Sequence, residues 1–465
     1  MGCAGEIKSV TPAMLSRLPC LSCSPQSCIL FESRVLEVRD GTHVSIQRIK
    51  GTQDILPEAS RAWQELESVM HRLTGEYGFQ EIRTPVFEAT ALFVRGVGET
   101  SDIVEKEMYT FEDEGKRSLT LRPEGTASVC RAYVENKLYG LPQPQKLYYI
   151  GPMFRSENPQ AGRFRQFHQL GVEVLGVDNP LVDAEVIQLA VQIFHALNIK
   201  GMELQINSVG CPVCRADHRE VLLAFLERKR QGLCGLCQGR LERNPMRVLD
   251  CKNARCQELT EGAPTTFTSL CPECRDHFDR VQALLQTADV AYTLNPRLVR
   301  GLDYYRKTAF EIVVAEAAGT QNALCGGGRY DALVEEVGGP PTPGMGFALG
   351  MERLLKVLSD QKIELGEGRV PPLAALAALG QSAQRSAFRI LSQLRRKGVP
   401  VTMDVMGRSL KSQLRTANRD GVRYTVIIGE DEMERGVAVV RHMLEGEQWE
   451  VGLEECVEWL ERKYR

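Results

Sequence analysis

The chain has 465 residues, 43% of them hydrophobic and 25% charged, with a formal net charge of −3. That length suggests about two to four units, and the composition is that of an ordinary globular protein able to bury sizeable cores. It contains no run of about 18 apolar residues, which excludes a membrane-spanning helix. Charge is nevertheless uneven: between Arg385 and Arg423 ten Lys/Arg are set against two acidic residues, Asp404 and Asp420. By itself such a stretch is either a solvated helical face or a patch that attracts phosphates.

Residues 1–43 are rich in Ser, Pro and Cys and have little periodicity, the pattern of a disordered tail. They do not form a signal peptide, because Pro19 and Pro25 break the apolar stretches. Glu6 stands where a myristoylation signal needs Ser or Thr. From Pro57 the pattern sharpens. Trp63, Leu66, Met70 and Leu73 recur every three or four residues and predict an amphipathic helix that Gly78 ends. A strand is expected to begin at Phe79–Arg83, and Leu119 and Leu121 alternate with polar residues as a half-buried strand does. Further strands are expected at Leu147–Ile150, Phe167–Leu175 and Glu203–Ile206, with a helix at Asp183–Leu197.

The segment 208–280 changes character and reads as a Cys-rich, mostly helical insertion, with a helix at Arg219–Arg230. A strand is then expected near Thr308–Val314, followed by the glycine-rich Gly326–Gly328 and a helix from Met351. Residues 364–372 carry the Gly and Pro of a linker. Beyond it, helices at Ala383–Lys397 and Leu410–Asp420 alternate with strands at Val399–Asp404 and Tyr424–Ile428. This pattern predicts a small α/β domain with a largely parallel sheet.

Eight of the fifteen cysteines lie between Cys211 and Cys274. Cys211/Cys214 and Cys234/Cys237 have CxxC spacing, as do Cys271/Cys274, while Cys251 and Cys256 are five apart. Without a secretory signal, this clustering suggests zinc ligands or reduced thiols packed as small hydrophobes rather than disulfides, and both readings stay open.

The common nucleotide loops are missing: there is no GxxxxGK[ST], and no GxGxxG following a strand. A nucleotide would have to be held by arginine side chains, whose planar fork of donors matches phosphate oxygens. Three arginine-bearing segments stand out. One runs Phe154-Arg155-Ser156-Glu157 and continues after a loop as Arg163-Phe164-Arg165-Gln166-Phe167-His168-Gln169. The others are Arg300-Gly301-Leu302-Asp303-Tyr304-Tyr305 and Gly350-Met351-Glu352-Arg353.

In this order, with Pro85 as the proline of motif 1, these segments resemble motifs 2 and 3 of the class II aminoacyl-tRNA synthetases. Within that class, Arg300–Tyr305 and Gly327-Gly328-Arg329-Tyr330-Asp331 are similar to two signatures of the histidyl branch. Gly51-Thr52-Gln53-Asp54-Ile55-Leu56-Pro57 resembles its opening. The resemblance runs from about Ser45 to the C-terminus. It begins directly after Val44, so the preceding residues are expected to be dispensable, with Val44 a candidate start.

The resemblance implies an α+β fold: an antiparallel six-stranded catalytic sheet with helices, a mostly helical insertion and a C-terminal α/β anticodon-binding domain. The expected division is 1–43 as tail, 44–207 with 281–363 as catalytic domain, 208–280 as insertion and 371–465 as anticodon domain. The implied activity is ATP-dependent activation of L-histidine and its transfer to histidine tRNA. By the same resemblance, Arg300 and Arg155 are catalytic, and Arg155, Glu157, Arg163 and Arg353 bind ATP with Mg²⁺. Glu124, Thr126 and Gln169 would hold the substrate ammonium, Glu173 and Tyr305 the imidazole, and Tyr304 and Tyr330 would line the pocket with Arg300 near the carboxylate. Asn158 and Gln160 fall in the loop expected to touch the tRNA acceptor end. The resemblance also implies a cytoplasmic homodimer. The rival implication is a non-catalytic regulatory paralogue from histidine biosynthesis, which usually lacks the C-terminal domain and often loses active-site arginines. This chain keeps both.

Overall fold

A computed structural model describes residues 46–98, 101, 103–158, 162–299, 304–314, 323–366 and 371–465. The chain divides into two units, Met1–Ile49 and Lys50–Arg465. Of the first, only residues 46–49 are described, and they are exposed coil. The expected tail therefore lies outside the described residues.

The second unit opens with α1 (Pro57–Glu76), which starts on a proline at its first turn and buries Trp63, Leu66, Met70 and Leu73. There follow β1 (Gln80–Glu81), β2 (Phe87–Ala89), α2 (Thr90–Val97), β3 (Tyr109–Glu112), β4 (Ser118–Leu121) and α3 (Thr126–Glu135). The long hairpin β5 (Gln145–Phe154) and β6 (Gln166–Leu175) comes next, then α4 (Pro180–Ala196) and β7 (Met202–Ser208). Helices α5 (Pro212–Glu227), α6 (Gly235–Arg243), α7 (Ala254–Leu259) and α8 (Pro272–Thr287) make up the Cys-rich region. The chain then returns through β8 (Thr293–Leu294), β9 (Arg306–Val314), β10 (Ala323–Arg329), α9 (Leu333–Glu336), β11 (Gly344–Gly350) and α10 (Met351–Asp360).

The main sheet has eight strands in the order β1-β5-β6-β11-β10-β9-β7-β8. Its six central strands are antiparallel, as expected, and two dipeptide strands, β1 and β8, add parallel edges. Gly326–Gly328, read from sequence only as glycine-rich, lies inside β10. A smaller antiparallel sheet, β2-β4-β3, stands apart from it.

Side chains alternate across a strand, so each strand supplies two different surfaces. Leu170, Val172 and Val174 of β6, Phe310, Ile312 and Val314 of β9, and Met345, Phe347 and Leu349 of β11 share one core with α1, α4, α8 and α10. The alternate residues on these strands face the other way, toward a cavity.

The C-terminal part comprises β12 (Ala374–Ala378), α11 (Gln381–Arg396), β13 (Val401–Met403), α12 (Leu410–Arg419) and β14 (Tyr424–Ile428). These are followed by α13 (Glu430–Arg435), β15 (Val437–His442), β16 (Gln448–Gly452) and α14 (Cys456–Tyr464). The expectation of a largely parallel sheet is corrected here. In the order β13-β12-β14-β15-β16 the first three strands are parallel, but β14, β15 and β16 form an antiparallel meander. The connections in that meander, residues 429–436 with α13 and residues 443–447, are shorter than the dozen or so residues that a parallel crossover needs. Among the described residues, no helix is long and apolar enough to cross a membrane.

One ion pair is wholly enclosed. Arg329, at the end of β10, is fully buried and donates through Nε to Asp183 of α4 at 2.8 Å. Asp183 also accepts from Thr308 Oγ1 of β9 at 2.6 Å and lies 2.8 Å from His277 Nε2 of α8. Removing one partner of such a pair strands a buried charge. Arg329→Met should therefore lower stability by about 3–5 kcal/mol, read from the urea midpoint. A loss within about 1 kcal/mol, the scale of an exposed pair, would show that the cluster is not an anchor.

Candidate active site

The cavity measures about 380 Å³ and is lined from β6, β9, β10, β11, the segment that follows β5, the start of α3 and the start of α10. Its floor is the second face of the main sheet. On β6 the residues Gln169, Gly171 and Glu173 alternate with the core residues Leu170, Val172 and Val174. On β11 that face carries Gly344, Gly346, Ala348 and Gly350, and their small size has a direct cause. A Cβ on Gly346 would lie 2.2 Å from a Glu173 oxygen, and one on Gly344 would lie 2.2 Å from the Tyr330 ring. Likewise Tyr149 is sandwiched between Gly125 and Gly171, either of whose Cβ atoms would collide with its ring. Glycines stand where the polar and aromatic groups of the cavity need room.

At the inner end, Glu173 is 1% exposed and accepts from Thr126 Oγ1 at 2.7 Å and from Tyr330 at 2.5 Å. Burial pushes its carboxyl up to about 8, against the pull of those two hydroxyls. Having donated its proton to Glu173, the Thr126 hydroxyl presents lone pairs to the cavity. Glu124 accepts from the amides of Thr126 and Ala127 at 2.8 and 2.9 Å, which fixes it at the N-terminus of α3. Burial raises its carboxyl pKa, and those amide bonds pull it back. Gln169 Oε1 is buried with no partner among the described residues. A carboxylate, a hydroxyl lone pair and an unsatisfied amide oxygen together suit an ammonium group.

Tyr304 packs against Tyr305 with ring centroids 4.7 Å apart and edge-on to Tyr330 at 5.8 Å. Burial raises the phenols of Tyr304 and Tyr330 well above the ordinary value, so both remain neutral donors.

The outer end is cationic. Arg155 donates through Nε to the Pro123 carbonyl at 2.9 Å, and its guanidinium lies 5.2 Å from the Phe167 ring centroid. Arg163 pairs with Glu157 at 2.9 Å. Burial, then the neighbouring charge of Arg163, lowers the pKa of Arg353. Glu352 also lines the cavity, but its carboxylate is engaged by the protein. It accepts from the His168 amide and lies 2.9 Å from His168 Nδ1, tying α10 to β6. Arg122 is also structural: it donates to the Pro152 and Thr84 carbonyls, joining the Pro85 segment to β5.

Residues 51–354 match the family model described as Histidyl-tRNA synthetase, and residues 374–463 match the Anticodon binding domain. The chain belongs to the histidyl-tRNA synthetase family. The histidine–tRNA ligase of Desulfitobacterium hafniense is 59% identical over 424 residues, covering 91% of this chain and 99% of the relative. That of Moorella thermoacetica is 52% identical over 413 residues, covering 89% and 97%. Among solved structures, the apo histidyl-tRNA synthetase of S. aureus matches with a TM-score of 0.76 and 40% identity, covering 90% of this chain and all of that one.

Of the residues assigned from histidyl-tRNA synthetase motifs, Glu124, Thr126, Arg155, Glu157, Arg163, Gln169, Glu173, Tyr304, Tyr305, Tyr330 and Arg353 all line this one cavity. Arg300 and Gln160 lie outside the described residues. Asn158 is exposed beside the loop. Sequence reasoning missed Glu107, Glu311, Phe164, Phe167, Arg247 and Asp250, which also line the cavity. Glu311 was detectable, since it is a charge set between Phe310 and Ile312 on an otherwise apolar strand. Arg247 and Asp250 come from the Cys-rich region and had no such signal.

The raised Glu173 carboxyl sets a pH dependence. It titrates near 4.5 when unperturbed and at about 8 in the fold. Its proton-linked stability is full below about 4.5 and is lost as pH rises through about 8. Glu173→Gln, which cannot ionise, should remove this slope from urea midpoints between about pH 5 and 9. Parallel curves for the two proteins would refute the assignment.

Proposed function

We propose that the cavity joins L-histidine to ATP and passes the activated histidine to histidine tRNA. The observation that carries this reading is that buried ammonium acceptors and a set of arginines line one cavity on a single sheet face. Glu124, Thr126 and Gln169 take the α-ammonium. Glu173, with Tyr305, reads the imidazole nitrogens, and a side chain without them forgoes those hydrogen bonds inside a buried polar pocket, which penalises it. The substrate carboxylate attacks the ATP α-phosphorus, forming the acyl-phosphate bond of the adenylate and expelling pyrophosphate. Charge accumulates on the phosphorus oxygens in that step, and Arg155 and Arg300, the two arginines assigned to catalysis from the motifs, offset it. Arg353 and Arg163 take the outer phosphates, and the terminal ribose hydroxyl of the tRNA then displaces AMP. Mg²⁺ accompanies the nucleotide and offsets phosphate charge. Glu107 and Glu311, both in the cavity lining, offer the oxygen ligands it favours.

The basic stretch has a role in this scheme. All ten of its Lys/Arg are exposed. Lys411, Arg415 and Arg419 recur every fourth residue and so make one stripe along α12. This stripe attracts tRNA phosphates, while specificity rests on base contacts. Val86, Phe87 and Phe111 are exposed beside Pro85 on the small sheet, an apolar surface suited to a second copy in a homodimer. The same reading places the enzyme in the cytoplasm and divides the chain at 44–207 with 281–363, 208–280 and 371–465. The regulatory alternative is not favoured, because the similar ligases are matched along nearly their whole length and the anticodon-binding domain is present.

The test is histidine-dependent exchange of pyrophosphate into ATP, which should proceed with histidine and with no other amino acid. Arg155→Ala should slow adenylate formation by roughly 10²–10³, the usual cost of one preorganised donor to a developing charge, while calorimetry still detects histidine binding. Absence of exchange in folded protein with Mg²⁺ would return the chain to the regulatory reading.

A further inference from the structure

The eight cysteines of the Cys-rich region gather into two groups of four. Cys211, Cys214, Cys271 and Cys274 form one, and Cys234, Cys237, Cys251 and Cys256 the other. Within each group all four Sγ atoms lie within 4.8 Å of one another. Cys211 and Cys214 are 3.6 Å apart, and Cys234 and Cys251 are 3.9 Å apart. Those distances are far too long for a disulfide, at about 2.05 Å. They match the roughly 3.8 Å edge of a tetrahedron with Zn–S bonds of about 2.3 Å. The geometry points to two structural Zn²⁺ sites, each held by four thiolates.

Three independent features support thiolates over packed thiols. The first is helix placement. Cys211, Cys234 and Cys271 each occupy the cap position of a helix, α5, α6 and α8, with Cys214, Cys237 and Cys274 three residues further in. Cys256 holds the same inner position in α7. The first group thus sits on the N-termini of α5 and α8 and the second on that of α6, whose partial positive charge offsets the net −2 of a zinc tetrathiolate. The second is hydrogen bonding to sulfur: the Cys271 amide donates to Cys214 Sγ at 3.1 Å, and the Cys234 amide to Cys256 Sγ at 3.2 Å. Backbone donors of this kind orient and stabilise metal-bound sulfur. The third is contrast. The remaining described cysteines, Cys130, Cys325 and Cys456, are buried in apolar cores, and none belongs to a metal-sized cluster.

The two sites have different mechanical roles. The first joins the chain where it leaves β7 to the point where it re-enters through α8, closing the base of the insertion. The second holds α6 and α7 together with the segment ending at Cys251. That segment contains Arg247 and Asp250, which line the catalytic cavity. A small helical piece whose own core holds nine buried residues, three of them cysteines of the second group, gains from such staples.

The test is elemental analysis of the full chain purified without chelator, which should give two zinc per chain. The double variants Cys211→Ser/Cys271→Ser and Cys234→Ser/Cys251→Ser should each reduce this to one. If a variant fails to fold, Co²⁺ titration of chelator-treated wild type replaces it. Thiolate-to-cobalt charge-transfer and tetrahedral d–d absorption should then saturate at two equivalents. Chelation should also expose residues 208–280 to protease. Folded protein with under about 0.2 zinc per chain and eight titratable thiols would overturn the proposal, as would disulfides in non-reducing mass spectra or iron in place of zinc.

Discussion

A guanidinium with no solvent exposure cannot remain inside a protein without a fixed negative partner, and Arg329 obliges the structure to supply one. Asp183 answers from α4, and around that carboxylate converge β10, β9 through Thr308, and α8 through His277. The next residue after Arg329 is Tyr330, whose hydroxyl donates to Glu173. The buried charge and the floor of the cavity therefore share one strand end. The same cluster captures α8, the helix on which the chain returns from the Cys-rich region, so anchoring of the insertion and placement of the pocket are one arrangement.

The second constraint is steric. A sheet that must pack helices on one face and hold a polar pocket on the other divides its residues by parity. On β6 and β11, Leu170, Val172, Val174, Met345 and Leu349 pack toward the helices while Gln169, Glu173, Gly346 and Ala348 face the cavity, and Phe167 and Phe347 reach its lining as well. The glycines follow from the size of what they oppose: Tyr149, Tyr330 and the Glu173 carboxylate. Burial deep enough to select an imidazole also raises the Glu173 carboxyl to about 8. Selectivity and proton linkage thus have a common origin in desolvation.

The Cys-rich region is more than an appendage to this core. Its Arg247 and Asp250 reach the cavity wall, and the Arg243 guanidinium pairs with Glu105 within the π-helical turn Ile103–Glu107. A segment with a small apolar core of its own is thereby committed to the geometry of the main site, and its four-sulfur groups lie where rigidity is most needed.

By itself the sequence determined the family and the eleven motif residues that line the pocket. Each motif carries its functional groups on a few consecutive residues, so they are legible without knowledge of packing. Periodicity did not identify β10, because a run of glycines has no hydrophobic signal, nor the antiparallel turn-back of β14 to β16. Only the tertiary structure decided that Glu352 ties α10 to β6. Only it brought Arg247 and Asp250 to the active site, whereas the basal and distal cysteine groups already follow from a chain that must leave and re-enter the catalytic domain at nearby points. The reason is the same in each case: these contacts join residues far apart in the chain, and their partners are chosen by packing and charge burial rather than by local spacing.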